Sequence, residues 1–172
     1  GYLKYHPFCV PLDFQGAAGQ QTTGDYCWVG DLAEFEIHVL TGVGTAGDDV
    51  TITIVQATAA AGTGEKALNI GTGTVWVRQE VAGNLRATGV WSAAAGTIST
   101  NTYTDLVNAE SSFWWVIQFQ ASDMDADGGF DFVNATVADV GGNAKLGTTF
   151  LIGAVNRFGG RPSALLSTIA AP

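Results

Sequence analysis

The chain has 172 residues, of which 47% are hydrophobic and only 13% charged, and its net charge is −9 with an isoelectric point near 4.3. The acidic balance argues against a nucleic-acid partner, because neutralising phosphates supplies most of the affinity for nucleic acid. No apolar run reaches the roughly 18 residues that a membrane span needs, and the first residues lack the pattern of a signal peptide. We therefore expect no membrane partner and a protein made in the cytoplasm.

The first 14 residues are rich in aromatic side chains and are interrupted by Pro7 and Pro11. Proline has no backbone N–H to donate to a sheet, so this segment is predicted to be an extended arm or an edge strand. An arm of this kind is expected to lie on its own sheet or on a neighbouring subunit. Residues 16–25 are predicted to be a polar loop.

Cys9 and Cys27 are the two cysteines of the chain. Their spacing fits no CxxC metal or redox pattern, and two cysteines are too few for a disulfide framework. Two small buried apolar side chains are the favoured interpretation, because free cysteine is often buried. A single bridge between the two stays open as the alternative.

Residues 34–40 alternate between polar and apolar side chains, which is typical of a half-buried strand. The apolar members are predicted to face the core. The polar members, Glu34, Glu36 and His38, are predicted to lie on a solvated face. A catalytic role for them is disfavoured because no nucleophile or third partner accompanies them in the sequence.

A second alternating strand is predicted over residues 50–55, and the glycine-rich turn at 41–49 predicts that the two strands form a hairpin. A helical turn is predicted over residues 104–112, with Thr104 as its cap. Other strands are predicted at four places: 26–30, 74–80, within 82–101, and 148–155.

The stretch 113–139 is predicted to hold two strands joined by an acidic turn. The first strand begins apolar on both faces, as expected in the middle of a sheet. Together with the other strands it predicts an all-β, antiparallel, jelly-roll-like sandwich. We expect a single domain over residues 1–172, made of an N-terminal arm, a sandwich core and a C-terminal tail: 1–14, 15–156 and 157–172. Most of the five tryptophans are expected to be in the core.

The acidic turn contains the run DMDADG, which matches the first half of an EF-hand calcium loop. The match fails at its twelfth position, where Asn134 replaces the bidentate glutamate, and strands are predicted where the motif requires helices. An acidic solvent-exposed turn is therefore favoured and no cofactor is predicted. Calcium binding by the turn from Asp123 to Asp131 stays open as an alternative.

Catalytic patterns find little support in the sequence. There is no GxSxG motif, and His6 and His38 are the only histidines that could act as bases. A pair of carboxylates for glycoside hydrolysis is disfavoured, because any chain with 16 acidic residues offers such pairs. The candidates are Glu34, Glu36, Asp105 and Glu110. Exposed tryptophans would instead offer a stacking platform for sugars. No enzyme is predicted.

Three segments carry a resemblance to a known family: residues 48–68, 113–142 and 150–164. In them the chain resembles a group of small virion structural proteins of tailed bacteriophages, including head decoration or cement proteins. The resemblance implies an all-β domain present in many copies on the outer surface of a capsid. It also implies a homotrimer that bridges capsomers and whose other partner is the major capsid protein.

The low charge and the aromatic and apolar chain ends fit a subunit that contacts its neighbours. The resemblance, with which these features agree, implies a non-enzymatic virion protein on the outer capsid surface that is made in the host cytoplasm. The alternatives are a carbohydrate-binding or receptor-binding module and a minor tail or fibre protein. The side chains predicted to contact neighbours lie in the arm and the tail: Tyr2, Tyr5, Phe8, Arg157, Phe158 and Arg161.

Overall fold

The structure is a computed structural model and describes residues 3–6, 21–23, 26–45, 49–80, 91–105, 112–139 and 147–155. In these residues it is all-β, with two antiparallel sheets and two short 3₁₀ turns, which confirms the predicted fold class. The strands are numbered in chain order. The jelly-roll connectivity and the division into arm, core and tail stay predictions.

The first sheet, called sheet A, has six strands. Their order across the sheet is β1 (Leu3–His6), β13 (Gly147–Val155), β4 (Leu32–Thr41), β11 (Ser112–Gln120), β7 (Val75–Glu80) and β8 (Ser92–Ala93). Strand β11 lies inside the sheet, between β4 and β7, as its apolar start predicts.

The second sheet, sheet B, has seven strands. Five follow one another in the order β2 (Gln21–Thr23), β12 (Phe132–Asp139), β5 (Val50–Ala57), β10 (Thr102–Thr104) and β9 (Thr97–Ser99). Two short strands pair at the side: β3 (Cys27–Trp28) with β12, and β6 (Lys66–Ala67) with β5.

The inner faces of the two sheets pack on each other and form one hydrophobic core. The predicted alternation over residues 34–40 and 50–55 is confirmed, because Phe35, Ile37 and Val39 of β4 and Val50, Ile52 and Ile54 of β5 are buried in that core. Burial of a large aliphatic or aromatic side chain contributes roughly 1.5–3 kcal/mol. The core residues supplied by the inner rows of β4, β5, β11 and β12 include Phe35, Ile37, Val39, Val50, Ile52, Ile54, Phe113, Trp115, Ile117, Phe119, Val133, Ala135 and Val137.

The predicted hairpin between residues 34–40 and 50–55 is wrong. Strand β4 pairs with β11 and β13 in sheet A, whereas β5 pairs with β12, β10 and β6 in sheet B. The inward-facing apolar side chains of β4 and of β5 meet across the core, instead of lying next to each other on one sheet. Alternation alone cannot distinguish the two arrangements, because both bury the same row.

The acidic turn after β11 also crosses between the sheets. Strand β11 belongs to sheet A and β12 to sheet B, and the two 3₁₀ turns, Ala121–Asp123 and Ala126–Gly128, connect them. The predicted pair of strands with an acidic turn is therefore present, and it joins the two layers of the sandwich.

Three further predictions about local structure need correction or lie outside the described residues. Thr104 does not cap a helix, because it pairs with Thr51 as the last residue of β10, and residues 106–111 lie outside the described residues. The predicted polar loop at 16–25 contains strand β2. Cys27 is half-buried in β3, and Cys9 lies outside the described residues, so the question of a bridge stays open.

Candidate binding surface on sheet A

The outer face of sheet A carries aromatic and polar side chains in two rows that run across its strands. In the first row, Val116 of β11 lies between Trp76 of β7 and His38 of β4, and Phe150 of β13 lies beyond His38. In the second row, Glu36 of β4 lies between Gln118 of β11 and Ile152 of β13. The rows form because side chains two residues apart in a strand share one face.

His38 is the main departure from the predicted solvated face. Its side chain is only 7% exposed, although it lies on the outer face of the sheet. The Phe150 ring stacks on the imidazole at 4.8 Å between centroids, and the Trp114 ring lies at 5.7 Å. The prediction is wrong for His38 because it left out the aromatic neighbours on β11 and β13, which exclude water from the ring.

Hydrogen bonds fix the tautomer of His38. The Trp114 indole Nε1–H donates to His38 Nδ1 at 2.9 Å, and an indole nitrogen can only donate. His38 Nδ1 is therefore the acceptor and the imidazole proton is on Nε2. That Nε2–H donates to Glu36 Oε2 at 3.2 Å.

The same network continues from Glu36 to the neighbouring strands. Gln118 Nε2 donates to Glu36 Oε1 at 2.8 Å, and the Trp76 indole Nε1–H donates to Gln118 Oε1 at 3.0 Å. Five side chains from three strands thus form one continuous chain of hydrogen bonds. Each member orients the next, so the polar groups of this face are held in place before any ligand binds.

Burial of the imidazole lowers the pKa of His38 below its ordinary value, and the nearby Glu36 carboxylate offsets part of that change. A neutral ring with its proton on Nε2 agrees with the hydrogen bonds on both nitrogens. Protonation of Nδ1 would bring an N–H against the Trp114 N–H and break the network.

Trp91 borders this surface just before β8. It is 38% exposed and contacts Trp114 edge to face at 5.1 Å. Beside it is a hollow of about 340 Å³ lined by Glu36, His38, Trp76, Trp91, Val116 and Gln118. A second hollow of about 410 Å³ shares Glu36 and Gln118 with the first and extends toward Glu34, Gln120 and Asp123. The two hollows therefore adjoin along β4 and β11.

The tryptophans are less buried than predicted. Trp115 is fully buried, but Trp28, Trp76 and Trp114 are half-buried and Trp91 is exposed. Trp114 and Trp115 are consecutive and point to opposite faces of β11, so one belongs to the core and the other to the outer surface. The hydrophobicity of tryptophan does not distinguish the two positions, but the alternation of side chains along the strand does.

Of the carboxylates predicted as candidates for glycoside hydrolysis, Glu34 and Glu36 line the same hollow, but Asp105 lies apart from them. Glu34 and Glu36 lie on the outer face of sheet A, whereas Asp105 is buried at the end of β10 in sheet B. Glu110 lies outside the described residues.

The acidic turn is organised by Asp125. This residue caps the second 3₁₀ turn through Gly128 N, which donates to Asp125 Oδ1 at 3.1 Å, and its backbone N–H donates to Gln56 Oε1 at 2.9 Å. Lys66 forms an ion pair with Asp125 and lies 3.8 Å above the ring of Phe130. The hydrogen bond from Lys66 is the main cause that lowers the pKa of Asp125.

Within the described ranges, no group of three or more histidine, cysteine, aspartate or glutamate side chains is arranged to hold a metal ion. Asp125, the third residue of the calcium-like run, bonds to Lys66 instead. Calcium binding at the turn from Asp123 to Asp131 stays an untested alternative.

The predicted neighbour contacts fall mostly outside the described residues, which include none of Tyr2, Phe8, Arg157, Phe158 and Arg161. Tyr5 lies in β1, where its backbone is paired with Ile152 of β13. This pairing makes residues 3–6 an edge strand, one of the two forms predicted for the arm.

Comparison of the chain with protein-family models, with curated proteins and with solved structures finds no match. The resemblance to phage decoration proteins therefore stays a prediction. Among the helices of the described residues, none is long and apolar enough to cross a membrane.

Proposed function

We propose that the chain is a non-enzymatic structural protein that decorates the outside of a tailed-phage capsid and stabilises it by bridging capsomers. The partners would be the major capsid protein and further copies of the chain, arranged as a homotrimer. The proposal draws on the resemblance in residues 48–68, 113–142 and 150–164. It also draws on the geometry of one edge of sheet A.

That edge brings strands from the two ends of the sequence together. Strand β1 pairs with β13 so that Leu3 lies opposite Ala154 and His6 opposite Leu151. In the part of the chain that the structure describes, β1 is paired on one side only. An edge strand with one unpaired side can accept a strand from a neighbouring chain.

The register of this pair is the single observation that supports the proposal most. Strand β1 starts one residue after Tyr2, and β13 ends two residues before Arg157. Because the strands are antiparallel, those two ends lie at the same corner of sheet A. A single docking site on a capsid at this corner would use the start of β1 and the end of β13 together. Many weak contacts of this kind become durable when symmetry repeats them.

The first test is quantitative mass spectrometry of purified particles from the source. A ratio of this chain to the most abundant shell protein between about one third and one is expected for decoration of a symmetric shell. A ratio of a few per cent would move the protein to the tail or a fibre. Absence from the particles would refute the virion function.

The second test separates docking from folding. A variant with Tyr2, Tyr5 and Phe8 all changed to alanine keeps the backbone that pairs with β13, unlike a deletion of residues 1–12. We expect it to fold with an unchanged thermal midpoint and to fail to bind undecorated capsids in a cosedimentation assay. Val43→Ala, at an exposed apolar residue of another region, is the matched control and should bind normally.

A further inference from the structure

We propose that the outer face of sheet A binds a neutral saccharide in the hollow between Trp76 and Trp91. The inference is independent of the capsid role and concerns a different part of the molecule from the β1–β13 edge. It rests on three features of the hollow: its exposed aromatic surface, its unused hydrogen-bonding capacity and its fixed geometry.

The aromatic surface is the first feature. Among the described side chains, Val43 and Trp91 are the large apolar ones left exposed. Trp91 is held edge to face against Trp114, so it keeps one orientation while more than a third of its surface is open to solvent. Indole rings offer large, rigid apolar surfaces at little entropic cost, and the apolar face of a sugar ring packs well on them.

The polar groups of the hollow are only partly used by the network. Gln118 Oε1 accepts one bond from Trp76, and its Nε2 donates one bond to Glu36, so each atom can make another. Each carboxylate oxygen of Glu36 also accepts one bond and has room for a second. A sugar hydroxyl both donates and accepts, so it can use the amide and the carboxylate together.

The network also lowers the cost of binding. Glu36 and Gln118 are held by His38 and Trp76, so a ligand does not have to order them. Preorganised polar groups beside a fixed aromatic face give both orientation and stacking, which are the two requirements of a saccharide site.

Charge and chemistry favour this ligand class over two others. Glu34, Glu36 and Asp123 line the adjoining hollows, so a phosphate or another anion would be repelled. A quaternary ammonium ion would be attracted to the indoles and to Glu36, but its cationic head has no donor or acceptor for Gln118. The adjoining hollow shares Glu36 and Gln118, so an oligosaccharide of two or more rings fits better than a single sugar.

The test begins with the full chain on a glycan array that carries neutral and acidic glycans, followed by calorimetric titration of the neutral oligosaccharide that binds best. We expect binding to neutral glycans only. Trp91→Ala should weaken it by roughly tenfold or more, as truncation of a central aromatic contact usually does. Gln118→Leu, which keeps the size of the side chain and removes its hydrogen bonds, should weaken it several-fold.

Val43→Ala is the matched control, because Val43 is exposed and apolar but does not line the hollow, and its affinity should equal that of the original chain. Thermal midpoints report whether each variant folds. If Trp91→Ala does not fold, Gln118→Leu provides the test. The proposal is overturned if the array shows no neutral glycan bound. It is also overturned if the folded variants bind as well as the original chain, or if choline binds in place of any glycan.

Discussion

The two sheets have similar inner faces and very different outer faces. The outer face of sheet B carries rows of hydroxyl side chains, in which Thr51 Oγ1 lies 3.3 Å from Thr104 Oγ1 and Thr53 Oγ1 lies 3.2 Å from Thr102 Oγ1. The outer face of sheet A carries indoles, an imidazole, a carboxylate and an amide in one network. Along the strands of both sheets, the outward-facing residues alternate with apolar residues that face the core.

The difference shows that the outer faces of the two sheets in one sandwich need not have the same environment or the same purpose. Threonine pairs satisfy each other across strands and stay partly open to water, which is usual for the solvated side of an antiparallel sheet. Sheet A instead removes a histidine from water and holds it neutral between aromatic rings. This arrangement lies outside the hydrophobic core, and it is the one on which the proposed saccharide site depends.

The largest expected effect is a loss of stability when the packing beneath the inner face of sheet B is disturbed. A methyl group at Gly96 would lie 2.2 Å from the backbone oxygen of Thr104 and 2.4 Å from the ring of Tyr103, which is buried under sheet B. Backbone cannot move away easily, so Gly96→Ala should lower the free energy of unfolding by about 3 kcal/mol or more, measured by urea denaturation.

Gly73→Ala is the control for that measurement. Its new methyl group meets no atom within 4 Å, and only the backbone angle φ of +80° opposes it. A loss of about 1 kcal/mol is expected there. Equal losses for the two variants would show that the space around Tyr103 is not restrictive.

The next effect tests the aromatic layer of sheet A. Trp114→Ala removes the donor to His38 Nδ1 and the ring that contacts both His38 and Trp91. A buried tryptophan changed to alanine costs about 3–5 kcal/mol, and Trp114 is only half-buried, so we expect about 2 kcal/mol in the same assay.

Trp114→Phe separates the two contributions of that side chain. It keeps an aromatic ring but leaves His38 Nδ1 without its donor, and about 1 kcal/mol should be lost. A loss as large as that of Trp114→Ala would contradict the importance of the ring and assign the effect to the hydrogen bond alone.

The alternation of β4, β5 and β11 was sufficient to predict the class of fold and the inner rows, because burial of one face imposes a period of two. It could not predict that β4 and β5 lie in different sheets, since pairing depends on contacts distant in the sequence. The candidate surface on sheet A could not be located for the same reason. Glu36, Gln118 and Trp76 are far apart in sequence, and only the registers of β11 with β4 and β7 bring them together.

The third effect is a pH dependence that sheet A should have and the threonine rows should not. Burial holds the pKa of His38 below its ordinary value of about 6.5, so below that pH the unfolded chain binds a proton that the folded chain does not. Stability should therefore fall as the pH drops below about 6.5, with a slope of at most about 1.4 kcal/mol per pH unit.

His38→Gln removes this titration while His6 stays in both chains, so the difference between their pH profiles isolates His38. The lowered pKa of Asp125 acts in a more acidic range, because the stability it contributes is lost only as carboxylates protonate. Parallel profiles for the two chains between about pH 7 and 5 would contradict the burial of a neutral imidazole.

The smallest effect is expected on the outer face of sheet B. Thr51→Val and Thr53→Val together replace two hydroxyls with methyl groups, while the β-branched shape that suits a strand is kept. Each hydroxyl lost from a half-exposed pair leaves a partner that water can reach, so the double variant should lose at most about 1 kcal/mol. Urea denaturation at constant pH measures it beside Trp114→Ala. A loss larger than that of Trp114→Ala would reverse the comparison, because the threonine rows would then support their sheet more than the aromatic layer supports sheet A.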